Sequence, residues 1–227
     1  MIPDTKLNIW EHSKGLLELC RRRAMAEVPE MDSAAQGAGI LSSLGLAQGT
    51  PLLDGGCAAG HFIHSLIKRD LRFDYHGIDH SPSFIEAGKE AFARLSLDPA
   101  RLELGSLDDL AGVGYEVAVL INVLSFNPDF RRILGRVIES GAKVIVCRDN
   151  FGDKTEILWD VDGFLDPGFN HLKGYWNRWG RVEVEGYLGE LGFDVGWIED
   201  NRTKGKVEMV VGKPYTWGFF LARKRRA

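Results

Sequence analysis

The stretch "PLLDGGCAAGHF", residues Pro51–Phe62, decides the fold of this chain. A short apolar run reaches Asp54, small residues follow as far as Gly60, and helix-forming residues begin there. Glycines let the backbone turn sharply and let a ligand approach where a Cβ would stand in the way. The following helix turns its free N–H groups toward the same space. The stretch therefore predicts a strand, a ligand-binding turn and a helix, in this order.

The rest of the chain continues this alternation of strands and helices, which predicts a parallel, doubly wound α/β sheet. The predicted strands are 50–54, 73–79, 102–106, 117–122, 143–148, 193–198 and 217–222, and 207–211 is a strand or one arm of a hairpin. The predicted helices are 7–26, 32–45 with a cap at Asp32 or Ser33, 62–67, 82–95 after a cap at Ser81, 130–141 and 181–191. The strand at 117–122 is apolar throughout, so we expect it to be buried on both faces.

Composition and charge limit the function classes. The chain has 227 residues, is 44% hydrophobic and carries a net charge of −4, which gives no global footprint for nucleic acid. The basic tail, 223–226, is interpreted as a solvated terminus. Three widely spaced cysteines favour a reducing compartment. No signal peptide fits the first residues, and no apolar run approaches the ~20 residues that span a bilayer. We therefore expect a cytoplasmic protein with no membrane partner; the oligomeric state stays open.

Asp79 ends the second predicted strand. In doubly wound sheets, ligands bind outside the carboxyl ends of the strands, and a carboxylate there can accept hydrogen bonds from both hydroxyls of a ribose. Together with the glycine loop, Asp79 predicts a ligand that contains adenosine. The alternative is that the glycines serve only a tight turn and that Asp79 only caps the next helix.

Five segments resemble motifs of the class I S-adenosylmethionine-dependent methyltransferases. The segment LDGGCAAG (Leu53–Gly60) resembles that family's first motif, Asp-x-Gly-Cys-Gly-x-Gly. The segments GID (Gly77–Asp79) and GSL (Gly105–Leu107) resemble the ends of its second and third strands. YEVAVL (Tyr115–Leu120) resembles its fourth strand, and LGF (Leu191–Phe193) precedes a sixth strand.

The resemblance covers residues 50 to 222 and implies a Rossmann-like seven-stranded sheet with an antiparallel last strand. It also implies S-adenosyl-L-methionine as the cofactor. The implied cofactor-binding residues are Asp54, Gly55, Gly56, Cys57, Ala58 and Gly60 at the methionine end, Asp79, His80 and Ser81 at the ribose, Ser106 and Leu107 beside the adenine, and Asn122 and Val123 near the sulfonium.

Two positions depart from the family pattern. Ala58 replaces the middle glycine, which forbids little if its φ is negative. A positive φ at Ala58 would mean a strained site and would put the assignment of this loop in question. Ser106 replaces the usual aspartate, and Asp108 is the candidate substitute for the adenine contact.

An NAD-dependent oxidoreductase is a less favoured alternative. Dinucleotide folds have the fingerprint G-x-G-x-x-G, whereas the small residues here, Gly56, Ala58 and Gly60, are spaced two and two. Asp54 would also repel a pyrophosphate but attract the amino group of a methionine moiety. Methyl transfer is therefore preferred.

The acceptor is less specified, because methyl transfer from a sulfonium needs mainly in-line placement and exclusion of water. The fourth strand ends in Asn122–Ser125 (NVLS) and not in Asn-Pro-Pro-Tyr, a pattern that resembles enzymes methylating exocyclic amines. This favours a small-molecule acceptor with oxygen as the methylated atom. The fifth strand ends in Arg148–Asn150 (RDN), similar to metal-dependent catechol O-methyltransferases, but Asn122 is a poor partner ligand for a hard cation. We therefore predict no metal and expect Asp149 and Asn150 to shape a loop.

The segment 151–180 is rich in aromatic residues and long for a connection, which is typical of functional loops. We predict that it walls the acceptor pocket and that His171 is the general base. The predicted pocket residues are Arg148, Asn150, Tyr175, Trp176 and Trp179. The alternative is that these aromatic residues form a satellite core.

We predict an N-terminal helical cap, 1–48, in which Trp10 and Met31 cover the cofactor, and a methyltransferase domain, 49–227. A catalytically silent protein that binds S-adenosylmethionine or S-adenosylhomocysteine stays an alternative, because the strong motifs all concern cofactor binding.

Overall fold

The computed structural model describes residues 8–110 and 112–226. The helices are α1 (Lys14–Ala24), α2 (Asp32–Ser42), α3 (Phe62–Ile67), α4 (Pro82–Arg94), α5 (Phe130–Glu139) and α6 (Arg181–Glu190). The strands are β1 (Pro51–Gly55), β2 (Asp74–Asp79), β3 (Leu102–Leu104), β4 (Val117–Ile121), β5 (Val144–Gly152), β6 (Trp159–Val161), β7 (Lys173–Tyr175), β8 (Trp179–Gly180), β9 (Phe193–Glu199), β10 (Glu208–Val210), β11 (Lys213–Tyr215) and β12 (Trp217–Lys224). Within these residues, no helix is both long and apolar enough to cross a bilayer.

The main sheet has the strand order β3-β2-β1-β4-β5-β12-β9. Strands β1 to β5 are parallel, and β12 runs antiparallel to both of its neighbours. The predicted Rossmann-like α/β sheet with an antiparallel last strand is confirmed. The strand count differs by one, because the end of β5 also pairs with the short strand β8. The carboxyl ends of β1, β2, β4 and β5 meet at one edge of the sheet, where such folds bind ligands.

The sheet separates two apolar layers. On β4, Val117 and Val119 join the layer that contains α2 and α3, whereas Ala118 and Leu120 join the layer that contains α5 and α6. This alternation is the two-residue period of a strand. All four side chains are fully buried, as expected for β4.

The N-terminal helix is shorter than predicted. Leu7 lies outside the described residues, Ile9–His12 form a 3₁₀ turn, and α1 begins only at Lys14. The break lies at Ser13, whose hydroxyl accepts a hydrogen bond from the backbone N–H of Leu16 and donates one to the carbonyl of Phe164. The cap predicted at Asp32 or Ser33 is also wrong, because both residues already belong to α2 and Met31 precedes it without a side-chain cap.

The segment after β5 differs from the prediction as well. Asp149 and Asn150 do not form a loop, because β5 continues to Gly152 and pairs with β12 as far as Asn150. Downstream, β6 and β7 form an antiparallel hairpin, and β10 pairs with β11 as the predicted hairpin arm.

Candidate active site

In the loop after β1, every second residue has a left-handed backbone conformation. Gly56, Ala58 and Gly60 have φ values of 71°, 48° and 76°. The negative φ considered for Ala58 is therefore wrong, and this position does need the conformation that glycine adopts most easily. The backbone N–H of Ala58 donates to Asp79 Oδ2 at 2.8 Å, which holds the alanine in place.

Asp79 joins this loop to the start of α4. Its second oxygen accepts a hydrogen bond of 2.9 Å from the backbone N–H of Ser81. A carboxylate offers about four lone-pair positions, so capacity remains on both oxygens. Burial raises the pKa of Asp79, and the nearby imidazole of His80 lowers it in part. His80 is half exposed, whereas Ser81 is fully buried.

Asp54 is the second acid of the loop region. It is 4% exposed, and its Oδ2 accepts a hydrogen bond of 2.7 Å from the hydroxyl of Tyr75. Burial raises the pKa of Asp54 to about 7. Within the part of the chain that the structure describes, no basic side chain forms an ion pair with Asp54. A buried acid without a counter-ion suits a ligand that brings a positive charge.

Residues of the third and fourth strand ends pack directly on the glycine loop. A Cβ on Gly55 would lie 2.7 Å from the side chain of Leu120 and 3.0 Å from that of Leu107. A Cβ on Gly56 would lie 2.7 Å from the side chain of Val123. The structure thus brings Leu107 and Val123 to the loop, and their roles beside the adenine and near the sulfonium stay predictions. Cys57 is buried, and burial raises the pKa of its thiol well above the usual range.

The predicted adenine side is held by local contacts. Ser106 Oγ accepts a hydrogen bond of 3.1 Å from the backbone N–H of Asp108. Asp108 forms an ion pair of 3.1 Å with Arg132 on α5. An adenine contact of Asp108 therefore stays a prediction, and it would have to share this carboxylate with Arg132.

Arg148 links the ends of three strands. Its guanidinium donates to Asn122 Oδ1 after β4 and, at 2.7 Å, to Asp200 Oδ2 after β9. It also lies over the ring of Trp217 on β12, at 3.9 Å from the centroid. Arg148 and Asp200 are 3% and 1% exposed, so this ion pair is buried. Asn122 itself has a φ of 59°, a conformation that asparagine tolerates better than most residues.

Asp149 and Asn150 fasten neighbouring segments to one another. Asp149 accepts hydrogen bonds from the backbone N–H groups of Leu124, Ser125 and Asn150. Asn150 donates to the carbonyl of Asn177 and accepts from the N–H of Thr216. Among the residues of known placement, no group of three or more His, Cys, Asp or Glu side chains could hold a metal ion.

The predicted aromatic pocket residues lie in three different surroundings. Tyr175 packs on Trp159 within the β6–β7 hairpin, with ring centroids 4.6 Å apart. Trp179 is part of the main core, where it contacts Phe130 at 5.1 Å. Trp176 belongs to a separate buried cluster with Tyr215 and Trp217. The predicted pocket wall and its alternative, a satellite core on the N-terminal helices, both stay predictions, because the three residues share no single environment.

His171 is exposed and lies between β6 and β7. The ring of Trp10 packs on Phe126 at 4.9 Å, next to the end of β4, and its covering of the cofactor stays a prediction. The preceding Asn8 donates to Ser81 Oγ at 2.8 Å, so this N-terminal segment reaches the Asp79 side too. Met31 packs on the core layer of α2 and, with His61 and His64, lines a cavity of about 180 Å³.

Several residues of this region were missed from the sequence. They are Asn8, Tyr75, Phe126, Asp200, Tyr215 and Trp217. For most of them the sequence holds no signal, because their role depends on partners far along the chain. The aromatic residues Tyr215 and Trp217, just before and at the start of the predicted strand 217–222, were the one pattern that could have indicated a site.

Comparison with known proteins places the glycine loop in a known domain. Residues 53–140 match a family described as a methyltransferase domain. No curated protein matches the sequence.

Solved structures resemble the fold at low sequence identity. Magnesium protoporphyrin IX methyltransferase (ChlM) from Synechocystis PCC 6803 with bound SAH has a TM-score of 0.60 and 15% identity, over 92% of this chain and 94% of that chain. A 1,6-didemethyltoxoflavin-N1-methyltransferase from Burkholderia thailandensis has a TM-score of 0.56 and 14% identity, over 86% and 80%. The [4+2]-cyclase SpnF has a TM-score of 0.60 and 13% identity, over 86% and 81%. These likenesses concern the fold.

Proposed function

Because this chain belongs to the class I S-adenosylmethionine-dependent methyltransferases by its domain match and its fold, we propose that it methylates a small molecule, with oxygen as the acceptor atom. The family and the cofactor expected from the sequence are thereby confirmed. The observation that carries the proposal is the pair of buried acids, Asp54 and Asp79, on either side of the left-handed loop.

The residues present fit S-adenosylmethionine. Asp54, buried without a basic partner among the described residues, would hold the amino group of the methionine end. Asp79 has lone pairs left for the two ribose hydroxyls, and Ala58 already fixes its orientation. Leu107 and Val123 would pack on the adenine and beside the sulfonium. When bound, the cofactor supplies a methyl group on a sulfonium, which is a strong electrophile.

Positioning and water exclusion are then the main tasks of this chain. Trp10 and Phe126 would cover the end of β4. His171 stays the proposed base, and because it is exposed, a movement of the β6–β7 hairpin would have to bring it to the acceptor. We also propose the division into 1–48 and 49–227 and a cytoplasmic location, the latter on the three free cysteines.

The preference for oxygen rests on the ending Asn122–Ser125, which lacks the pattern of amine methylation. The names of two fold neighbours indicate small-molecule acceptors, a porphyrin and 1,6-didemethyltoxoflavin. The toxoflavin enzyme is named as an N1-methyltransferase. Methylation of a nitrogen atom by the present protein would therefore contradict the proposed oxygen acceptor.

Calorimetric titration tests the cofactor. We expect S-adenosylmethionine and S-adenosylhomocysteine to bind and NAD not to bind. Binding of NAD alone would overturn the proposal. Transfer of a labelled methyl group to a panel of hydroxylated and aminated small molecules then tests activity, and binding without transfer to any of them would favour a silent binder.

Asp79→Ala tests the ribose contact. We expect it to weaken S-adenosylmethionine binding by about 1.5–3 kcal/mol, the worth of hydrogen bonds to a charged group. The matched control is Asp74→Ala at the other end of β2, an exposed acid paired with Arg101. Equal affinities for the two variants would remove Asp79 from this role.

A further inference from the structure

Four aromatic side chains form one cluster at the ligand-binding edge of the sheet. This aromatic cluster consists of Phe126, Trp176, Tyr215 and Trp217. Consecutive ring centroids lie 5.4, 6.3 and 4.6 Å apart, so the rings are in direct contact. Trp10 covers Phe126 at one end of the cluster, and Arg148 covers Trp217 at the other.

Three polar groups in and beside this cluster are buried and make no well-aligned hydrogen bond among the described residues: the hydroxyl of Tyr215, the indole N–H of Trp176 and the hydroxyl of Ser125. Their side chains are 0%, 3% and 0% exposed. The two hydroxyls contact each other, and Ser125 also contacts Asp149, whereas the indole N–H has no such neighbour in the part of the chain that is described. Folded proteins pair the large majority of their buried polar groups, and each group left alone costs free energy. The Trp176 N–H has no partner within the described residues and the Tyr215 hydroxyl has only the poorly aligned Ser125, which indicates a partner from outside the chain.

The chemistry of these groups indicates what the partner carries. An indole N–H can only donate. Burial, together with the nearby Asp149 carboxylate, raises the pKa of the Tyr215 hydroxyl well above its usual value, so this group also stays a donor. Two neighbouring donors need an acceptor, such as an oxygen of the ligand. The surrounding faces are aromatic, which favours a planar ring next to that oxygen.

The cluster is adjacent to the residues expected beside the reacting methyl group. Ser125 and Phe126 lie on the short turn that follows Val123, and Val123 packs on Gly56 of the glycine loop. Arg148 contacts both Trp217 of the cluster and Asn122 at the end of β4. A molecule held by the cluster would thus reach the end of β4, which is where an acceptor has to lie.

We infer that the aromatic cluster is the acceptor subsite and that it binds a planar aromatic molecule whose oxygen accepts hydrogen bonds from Tyr215 and Trp176. The inference rests on the proposed function, since it names the class of molecule that the enzyme methylates. The anchored oxygen need not be the methylated atom, so no transfer step depends on it.

Equilibrium dialysis with two matched probes tests the inference. The protein is saturated with S-adenosylhomocysteine and dialysed against 2-naphthol or against naphthalene, which lacks only the hydroxyl. We expect the wild-type protein to bind 2-naphthol about tenfold more tightly than naphthalene, the worth of a buried hydrogen bond. In Tyr215→Phe this ratio falls below about threefold, while naphthalene binding is unchanged.

The control variant is Tyr187→Phe, which removes a hydroxyl that donates to the carbonyl of Arg131 at the surface. It should leave the ratio at the wild-type value. Thermal unfolding adds a second readout, because a hydroxyl with a structural partner would stabilise the fold. Tyr215→Phe should therefore keep or raise the unfolding midpoint of the ligand-free protein.

The possible failures are distinguishable. If S-adenosylhomocysteine binds but 2-naphthol and naphthalene bind equally well, the inference is wrong and the proposed function stands. The same holds if Tyr215→Phe keeps the tenfold ratio of the two affinities. A lowered unfolding midpoint in Tyr215→Phe would show that the hydroxyl has a structural partner within the protein, and this result would also overturn the inference. If neither S-adenosylmethionine nor S-adenosylhomocysteine binds, the proposed function itself fails.

Discussion

The proposed cofactor side and the proposed acceptor side of this site are built in different ways. On the proposed cofactor side, the main-chain N–H groups of Ala58 in the glycine loop and of Ser81 before α4 donate to one carboxylate, that of Asp79. On the acceptor side, side chains from the turn after β4, from β5, from the segment after β7 and from β11–β12 meet in one cluster. The first kind of site depends on backbone conformation at neighbouring positions, and the second depends on how distant segments pack.

The two sides also differ in charge. Asp54 and Asp79 are buried acids, and burial raises the pKa of both. Arg148 and Asp200 are buried as an ion pair and balance each other within the protein. Among the residues that the structure describes, the proposed cofactor side thus has no basic side chain paired with Asp54, whereas the proposed acceptor side holds the Arg148–Asp200 ion pair together with Asp149, a buried acid that accepts hydrogen bonds from backbone N–H groups. The following variants test this contrast.

The largest effect is expected for Arg148→Met. It leaves Asp200 buried without its partner, which costs about 3–5 kcal/mol of unfolding free energy. Denaturant unfolding would measure it, with Arg136→Met as the control, because the exposed pair of Arg136 and Glu139 is worth only about 0.3–0.5 kcal/mol. Adding Asp200→Leu to Arg148→Met should recover most of the loss. Equal losses for Arg148→Met and the control would show that the acceptor side does not depend on this pair.

Asp54→Asn should change how stability depends on pH. The pKa of Asp54 is about 7 in the folded protein, whereas an unfolded aspartate has a pKa of about 3.9. Between these values the folded chain holds a proton that the unfolded chain has lost, so a rise in pH destabilises the fold. The unfolding free energy of Asp54→Asn relative to wild type should therefore rise between about pH 4 and pH 7, by up to about 4 kcal/mol. Above about pH 7 this difference should stay constant.

Unfolding of the ligand-free protein across this pH range is the measurement. Tyr75→Phe is the companion variant, because the Tyr75 hydroxyl lowers the pKa of Asp54 and its loss should move the destabilising pH range upward. A constant difference between Asp54→Asn and wild type at all pH values would contradict a raised pKa of this buried acid.

The smallest effect concerns Ala58→Gly. An L-residue in the left-handed region costs about 1–2 kcal/mol, and the greater chain entropy of an unfolded glycine offsets about 0.5–1 kcal/mol of the relief. We expect a net gain of about 0.5–1 kcal/mol in thermal unfolding. Ala26→Gly is the matched control, since Ala26 has a φ of 55° outside the site and should gain as much. A loss of stability in Ala58→Gly alone would show that the alanine methyl group stabilises the loop.

The sequence allowed more of the cofactor side than of the acceptor side to be predicted. The order of strands and helices, the glycine loop and the position of Asp79 follow from local patterns and from a family resemblance carried by those same segments. The break at Ser13 does not follow, because it depends on a contact with Phe164, 151 positions away. The length of β5 does not follow either, because its last residues pair with β8 and β12.

Trp176 and Trp179 show the limit most clearly. Both are tryptophans of the same segment, yet Trp176 lies in the aromatic cluster and Trp179 lies in the main core. The sequence around these two tryptophans does not distinguish a residue of the aromatic cluster from a residue of the main core. Only the tertiary packing around each side chain distinguishes them.

The sequence by itself determined the fold class, the glycine loop after β1 and the position of Asp79 at the end of β2, because backbone turns and hydrophobic periodicity are properties of neighbouring residues. The tertiary structure alone decided that Ala58 is left-handed, that Arg148 pairs with Asp200, and which aromatic side chains meet at the end of β4. These features depend on contacts between segments far apart in the chain, and such contacts form only when the sheet brings the strand ends together.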